Sequence, residues 1–161
     1  MAYQNRTYDQ SRNNFNKVNK EQKPPVELSQ EYRACVNSGY YIKGENGLSS
    51  IKKELLIDFA LENASKFAQE KVASTQLRSF YNVVKQVETY VDITDKTFEQ
   101  LMEDIYPLLS VAHLKIEKGT LPKVFEDFIK LNVNKLSSKE DIKAFDKHFK
   151  AILCYMPQKK N

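Results

Sequence analysis

Between Val72 and Val91 the sequence VASTQLRSFYNVVKQVETYV places Leu77, Phe80, Tyr81, Val84, Val87, Tyr90 and Val91 three or four residues apart. That spacing makes one wide apolar stripe when the chain is helical. Ser74 and Thr75 each suit the cap of its N-terminus. Arg78, Asn82 and Lys85 fall at i, i+4 and i+7, so they share an edge of the stripe. On pattern alone this is a core helix with a solvated edge. Whether the edge binds anything depends on the rest of the chain.

The other segments follow the same period. Four glycines and five prolines in 161 residues are too few for a strand-and-turn architecture. Ser49 and Ser50 are placed to cap a helix from Ile51 to about Gln69, buried through Leu55, Leu56, Phe59, Ala60, Ala64 and Phe67. Another helix is expected to begin at Asp92 or Thr94, with Phe98, Leu101, Met102, Ile105, Leu108, Leu109 and Ala112 inward and Pro107 kinking or dividing it. Gly119 is suited to close it. Thr120 and Pro122 restart a short helix through Val124, Phe125, Phe128 and Ile129. Ser137 and Glu140 have the spacing of a capping box for a last helix, which ends at about Tyr155 before Pro157. Glu31 to Leu48 reads as a short helical turn followed by a loop or small hairpin around Gly39, Gly44 and Gly47. The expected fold is all-α, a compact bundle of five or six helices spanning residues 31–157.

Residues 1–30 are rich in Asn, Gln, Lys and Arg and hold Pro24-Pro25. With so little apolar content they are expected to form a disordered basic tail, and residues 158–161 a second short one. Arg6, Arg12, Lys17, Lys20 and Lys23, interleaved with Tyr3, Tyr8 and Phe15, are read first as a solvated terminus and second as loose RNA contacts. No apolar run reaches the roughly 18 residues of a membrane span, and MAYQNRTYDQSRNN lacks the apolar core of a secretory leader. Cys35 and Cys154 are far apart and unpaired in sequence, which suits a cytoplasmic protein with reduced thiols and no membrane partner.

Catalytic patterns are weak. The three glycines of the hairpin region match no phosphate-loop fingerprint. His113 and His148 sit on separate helices without a second ligand at metal-binding spacing. Cys154 lacks a base at a useful angle and reads as a small apolar neighbour of Leu153. No cofactor is implied, and the expectation is a protein that is not an enzyme.

Basic rows are the stronger signal. Net charge is +4, and it is segregated: Asp92 to Asp104 is acidic, whereas Lys115 to Lys160 carries lysine repeatedly. Lys139, Lys143, Lys147 and Lys150 form a row on the last helix, a companion to Arg78, Asn82 and Lys85. Cations in rows beside aromatic residues are what a phosphate-backbone binder needs.

Ser74-Thr75-Gln76-Leu77-Arg78-Ser79-Phe80-Tyr81, preceded by Gly39-Tyr40-Tyr41 and followed by Phe145-Asp146-Lys147-His148-Phe149-Lys150-Ala151-Ile152-Leu153-Cys154-Tyr155, resembles the small-subunit family of type III-A CRISPR effectors, the Csm complexes. The likeness spans about Ser38 to Met156. It departs from the family at Leu114 to Gly119, where members often carry Ala-Gly-Arg and where Lys115 or Lys118 would supply the charge. The resemblance implies a non-catalytic helical bundle whose copies associate head to tail along the inner face of the complex. It implies partners in the backbone and large polymerase-like subunits, in crRNA and in single-stranded target RNA. Sequence would then be read by base pairing, leaving backbone contacts to the subunit. The residues expected to make them are Arg78, Asn82 and Lys85, then Lys52, Lys53, Lys115, Lys118, Lys143, Lys147 and Lys150. The alternatives are a helical protein–protein adaptor without direct RNA contact and, third, an uncharacterised enzyme.

Overall fold

The computed structural model describes residues 22–47 and 49–158. The expectations for the first 21 residues, Leu48 and the last three residues lie outside them. The described chain runs α1 (Gln30–Asn37), β1 (Tyr41–Lys43), β2 (Ser49–Ile51), α2 (Lys53–Leu56), α3 (Asp58–Gln69), α4 (Ser74–Ile93), α5 (Phe98–Ile105), α6 (Pro107–Glu117), α7 (Lys123–Lys135) and α8 (Lys139–Tyr155). The architecture is the expected helical bundle. Pro107 divides the long helix into α5 and α6 as foreseen, and Ile57 splits the four-residue α2 from α3.

The periodic stripes become the core. Leu77, Phe80, Val84, Val87 and Val91 of α4 are buried. Helix α8 buries Ile142, Phe145, Phe149 and Ile152. Phe128 of α7 sits at the centre of an aromatic cluster, its ring 5.3 Å from both Phe67 and Phe149 and 6.1 Å from Phe145. Val26 packs against this core and Leu28 is buried in it, ahead of α1.

Four starts differ from the sequence expectation. Ser49 and Ser50 do not cap a helix; they pair with Lys43 and Ile42 in an antiparallel hairpin that continues to Tyr41 and Ile51. The Lys52 amide extends that pairing by donating to the Tyr40 carbonyl at 2.9 Å, so the helix starts after it. Ser74 is already the first residue of α4 and Ala73 is its cap, without a side-chain bond. The preceding turn dictates this. Lys71 adopts φ 59°, and the Val72 amide donates to the Phe67 carbonyl at 2.9 Å, closing α3 with Val72 tucked inward. Asp92 belongs to α4 and Thr94 is its C-cap, while α5 begins after Thr97, whose capping box uses Gln100. The last box is shifted by one residue: Ser138 caps α8 by accepting from the Asp141 amide, and Asp141 in turn accepts from the Ser137 amide.

Asn132 and His148 are buried polar residues inside this apolar cluster, and a one-way chain of hydrogen bonds satisfies them. Tyr40 donates its hydroxyl to Asn132 Oδ1 at 3.0 Å. Asn132 Nδ2 donates to the Tyr32 hydroxyl at 2.9 Å and to the Phe128 carbonyl at 2.9 Å. The remaining links, 2.7 Å from Tyr32 Oη to His148 Nε2 and 2.6 Å from His148 Nδ1 to the Leu55 carbonyl, fix the tautomer. A carbonyl only accepts, so Nδ1 carries the proton and Nε2 accepts from Tyr32. The chain ties α1, the hairpin, α2, α7 and α8 together. The histidine is an ordinary helix residue in the sense expected, a satisfied core group rather than a ligand.

Two predictions follow from these contacts. Burial lowers the His148 pKa to about 4, below the ~6.5 of a free imidazole. The unfolded chain therefore takes up a proton between those values while the folded one does not. Stability is full above pH 6.5 and falls by about 1.4 kcal/mol per pH unit as pH drops toward 4. A titration of the imidazole resonances in which His148 protonates near 6.5 would contradict this. Second, Lys71 holds a left-handed conformation without being glycine. Lys71→Gly should raise denaturant-measured stability by about 0.5–1 kcal/mol, and a loss would show that the lysine side chain contributes more than the strain costs.

Candidate nucleic-acid interface

Helices α4 and α8 pack as antiparallel neighbours. Tyr81 lies against Phe149, with ring centroids 5.6 Å apart. Lys85 faces Asp146 at 3.8 Å, and Asp92 accepts from Lys143 at 2.8 Å. As the numbers rise on α4 they fall on α8. One more turn toward the start of α4 and the end of α8, Arg78 and Lys150 border the same seam. Gln76 donates to the Thr120 carbonyl at 3.1 Å, which brings the turn between α6 and α7, with Lys118, to this end of the bundle.

Ion pairing divides the basic residues expected from the sequence. Lys85 is engaged twice, donating to Glu88 at 2.8 Å and facing Asp146; its pKa is raised chiefly by the Glu88 bond. Lys143 is held by Asp92, whose hydrogen bond likewise raises its pKa. Lys52 points inward from the hairpin and donates to the Cys35 carbonyl at 2.9 Å and to Ser38 Oγ at 2.6 Å, closing the end of α1. These three cations do structural work.

Arg78, Lys147 and Lys150 are exposed and form no ion pair among the described residues. Asn82 is exposed beside Arg78 and Lys85. Lys118 is the exposed C-cap of α6, whereas Lys115 is half-buried and supplies its carbonyl to the closing turn. Lys53 is exposed at the start of α2. It lies apart from the others, because α2 meets α8 at His148 and the seam meets it at Asp146, two residues and roughly 200° away around the helix. The structure thus brings Arg78, Lys118 and Lys150 toward one end, sets Asn82 and Lys147 midway along α4 and α8, and leaves Lys52 and Lys53 elsewhere.

Asp146 is the buried acid that Lys85 faces across the seam. Its side chain is 6% exposed, and one carboxyl oxygen is buried without a hydrogen-bond partner. Burial raises its pKa, opposed first by Lys85 and then by the Tyr81 hydroxyl and Lys150. Tyr81 is itself pushed up to about 12 by burial and by the carboxylate. Lys85 is held between Glu88 and this buried acid, with 49% of its side chain still exposed.

Sequence reasoning missed a second charged cluster. Glu126 of α7 is buried, and accepts from His113 Nδ1 at 3.0 Å, from Lys123 at 2.9 Å and from Lys130 at 2.9 Å. Burial pushes its pKa up, and the bonds from Lys130, Lys123 and His113 more than reverse this, to about 2. The spacing Lys123, Glu126, Lys130 carries the i, i+3 and i+4 signal that would have revealed it. Cys154 is exposed, beside a half-buried Leu153. No group of His, Cys, Asp and Glu suited to a metal ion is present among the described residues, and no helix among them is long and apolar enough to cross a membrane.

Residues 50–159, about two-thirds of the chain, match the family described as Csm2 Type III-A. No curated protein and no solved structure matches the chain. The matched span runs from the hairpin's second strand through α8 and so contains both helices of the seam. The chain belongs to the Csm2 family, the small subunits of type III-A CRISPR Csm complexes.

Proposed function

We propose that this subunit binds RNA without catalysing a reaction, holding the crRNA–target duplex or its single strands by contacts to the sugar-phosphate backbone. The observation that carries the reading is the set of exposed cations without an ion pair among the described residues: Arg78 and Lys150 toward one end of the α4–α8 seam, Lys147 midway along α8, and Lys118 at the neighbouring turn. Side chains already satisfied by carboxylates have little left for a phosphate. These four have no such partner among the described residues. Arg78 has the further advantage of a planar fork of donors that matches two phosphate oxygens. The reading includes a cytoplasmic complex in which copies associate head to tail beside the backbone subunits and the large polymerase-like subunit.

A second reading, an adaptor that touches only protein, is favoured by one feature. Tyr106, Val111 and Leu114 leave 52%, 41% and 52% of their surface exposed along α6, more apolar surface than that helix needs for its own packing. The two readings are compatible on different faces and separable by experiment.

Arg78→Ala should weaken binding of RNA oligonucleotides of unrelated sequence to a similar degree and reduce the slope of log affinity against log salt by roughly 0.7–1. An unchanged slope, with loss of assembly into the complex, would move Arg78 to a subunit contact. Stability measurements provide the contrast. Lys85→Ala leaves the buried Asp146 without its nearest cation and should cost about 1 kcal/mol, with little change in salt slope. Arg78→Ala should leave the unfolding midpoint where it was. The reverse pattern would make Lys85 the phosphate ligand and Arg78 the structural cation.

A further inference from the structure

An open cleft of about 370 Å³ lies between α1 and α7, two helices that contribute nothing to the α4–α8 seam. Arg33 and Asn37 line it from α1, one helical turn apart. Lys130, Asn134 and Lys135 line it from α7, with Leu131 as an apolar wall. From Asp127 to Lys135 the lining runs along roughly 12 Å of helix. Donors thus face each other from two rigid elements, which is a built arrangement and not a row on a single face.

Positive charge in the cleft exceeds negative. Its lining holds three cations against one carboxylate. That carboxylate, Asp127, is taken at 2.7 Å by Lys123, which lies outside the lining. Arg33 pairs with it only loosely, at 3.9 Å and beyond hydrogen-bonding distance, so its guanidinium N–H groups keep their donor capacity. Lys130 donates to Glu126, but Glu126 is also bonded by Lys123 and His113. Lys135 forms no ion pair among the described residues. Arginine, ammonium and amide groups together offer many donors and few acceptors. What the cleft lacks is an acceptor-rich, anionic ligand.

We propose that the α1–α7 cleft is a second phosphate subsite, which takes a phosphodiester segment of single-stranded RNA. Arg33 and Lys135 meet the phosphate charge. The amides of Asn37 and Asn134 bond phosphate or ribose oxygens, and Leu131 packs against the sugar. The subsite rests on the RNA-binding reading above and adds a contact surface independent of Arg78. A strand held at both surfaces is fixed at two points, so the subunit would set its path and not only its affinity.

The test uses the full chain and a fluorescein-labelled 20-nucleotide oligo(U), with anisotropy measured across a salt series. Arg33→Ala/Lys135→Ala should weaken binding by about tenfold and lower the salt slope by roughly 1.4, two contacts at about 0.7 each for a single strand. Asn134→Asp, which adds a carboxylate to the lining and removes no contact in the core, should weaken binding in the same direction. The unfolding midpoint of each variant checks that the fold is intact. Arg78→Ala/Lys150→Ala is measured beside them. If that pair lowers the slope and the cleft variants do not, the cleft proposal falls and the RNA reading stands. If neither pair changes affinity or slope, both fall. Inorganic phosphate and ATP are titrated against the amide side-chain resonances of Asn37 and Asn134. Saturation by either below the concentration at which oligo(U) shifts those resonances would make the cleft a free-nucleotide site and overturn the assignment to RNA. Displacement of oligo(U) from those resonances by a polyglutamate peptide at equal concentration would overturn it in favour of an acidic protein partner.

Discussion

A buried polar chain whose donors all run in one direction joins α1, the hairpin, α2, α7 and α8. Tyr40, Asn132, Tyr32, His148 and the Leu55 carbonyl hand donors along in a single direction. Each is buried or backbone, so an unpaired member costs the full desolvation of its group. The aromatic cluster around Phe128 supplies the bulk of the burial, but ring packing tolerates rotation and exchange. Directional hydrogen bonds do not. They fix how α1 and the residue that leads into the hairpin, Tyr40, both ahead of the matched family span, dock against α7 and α8. That docking also forms the cleft between α1 and α7, since Tyr32 and Arg33 are adjacent on one short helix whose buried side is set by the chain.

The distribution of cations follows a similar rule of consumption. A lysine on a bundle surface has no assigned role until its carboxylates are counted. Asp146 and Glu88 retain Lys85, Asp92 retains Lys143, and two acceptors at the end of α1 retain Lys52. The carboxylates of α4 and α8 lie toward the end where α4 finishes and α8 begins. Because the two helices run antiparallel, the surplus of positive charge collects at the other end. Polarity of this kind needs no special motif. It arises from where a few acids fall along two paired helices.

How much of this was legible in the sequence depends on the kind of signal. The apolar stripes of α4 and α8 and the break at Pro107 were readable because period and proline act locally. The all-α fold followed from them. Helix starts were misread wherever a neighbouring element competed for the same residues. Ser49 and Ser50 are good caps, but Tyr40, anchored through Asn132, holds the hairpin and draws them into β2. Ser74 lost the cap position because Val72 had to close α3. At the start of α8, Ser138 outcompeted Ser137 because Asp141 reaches back to the latter. Row membership of Lys85 and Lys143 was equally readable, but their partners were not, since Asp146 and Asp92 come together with them only across a tertiary contact. The cleft was invisible for the same reason: Arg33 and Lys135 are about a hundred residues apart and belong to no common period.

The buried oxygen of Asp146 shows how such a molecule keeps an imperfect interaction. One oxygen has no hydrogen bond among the described residues, burial works against ionisation, and Lys85 stands at 3.8 Å, too far for a direct bond. Replacing the acid by an apolar residue of similar size would remove the desolvation cost and on stability grounds alone should be neutral or favourable. What it would also remove is one of the two carboxylates that hold Lys85, the other being Glu88 at 2.8 Å. With Asp146 in place, Lys85 is occupied and Arg78 and Lys150 are the cations left outward at that end. Asp146 and Glu88 together therefore sort the row into paired and unpaired members, and a small loss of stability is the physical cost of keeping the buried acid in that pair.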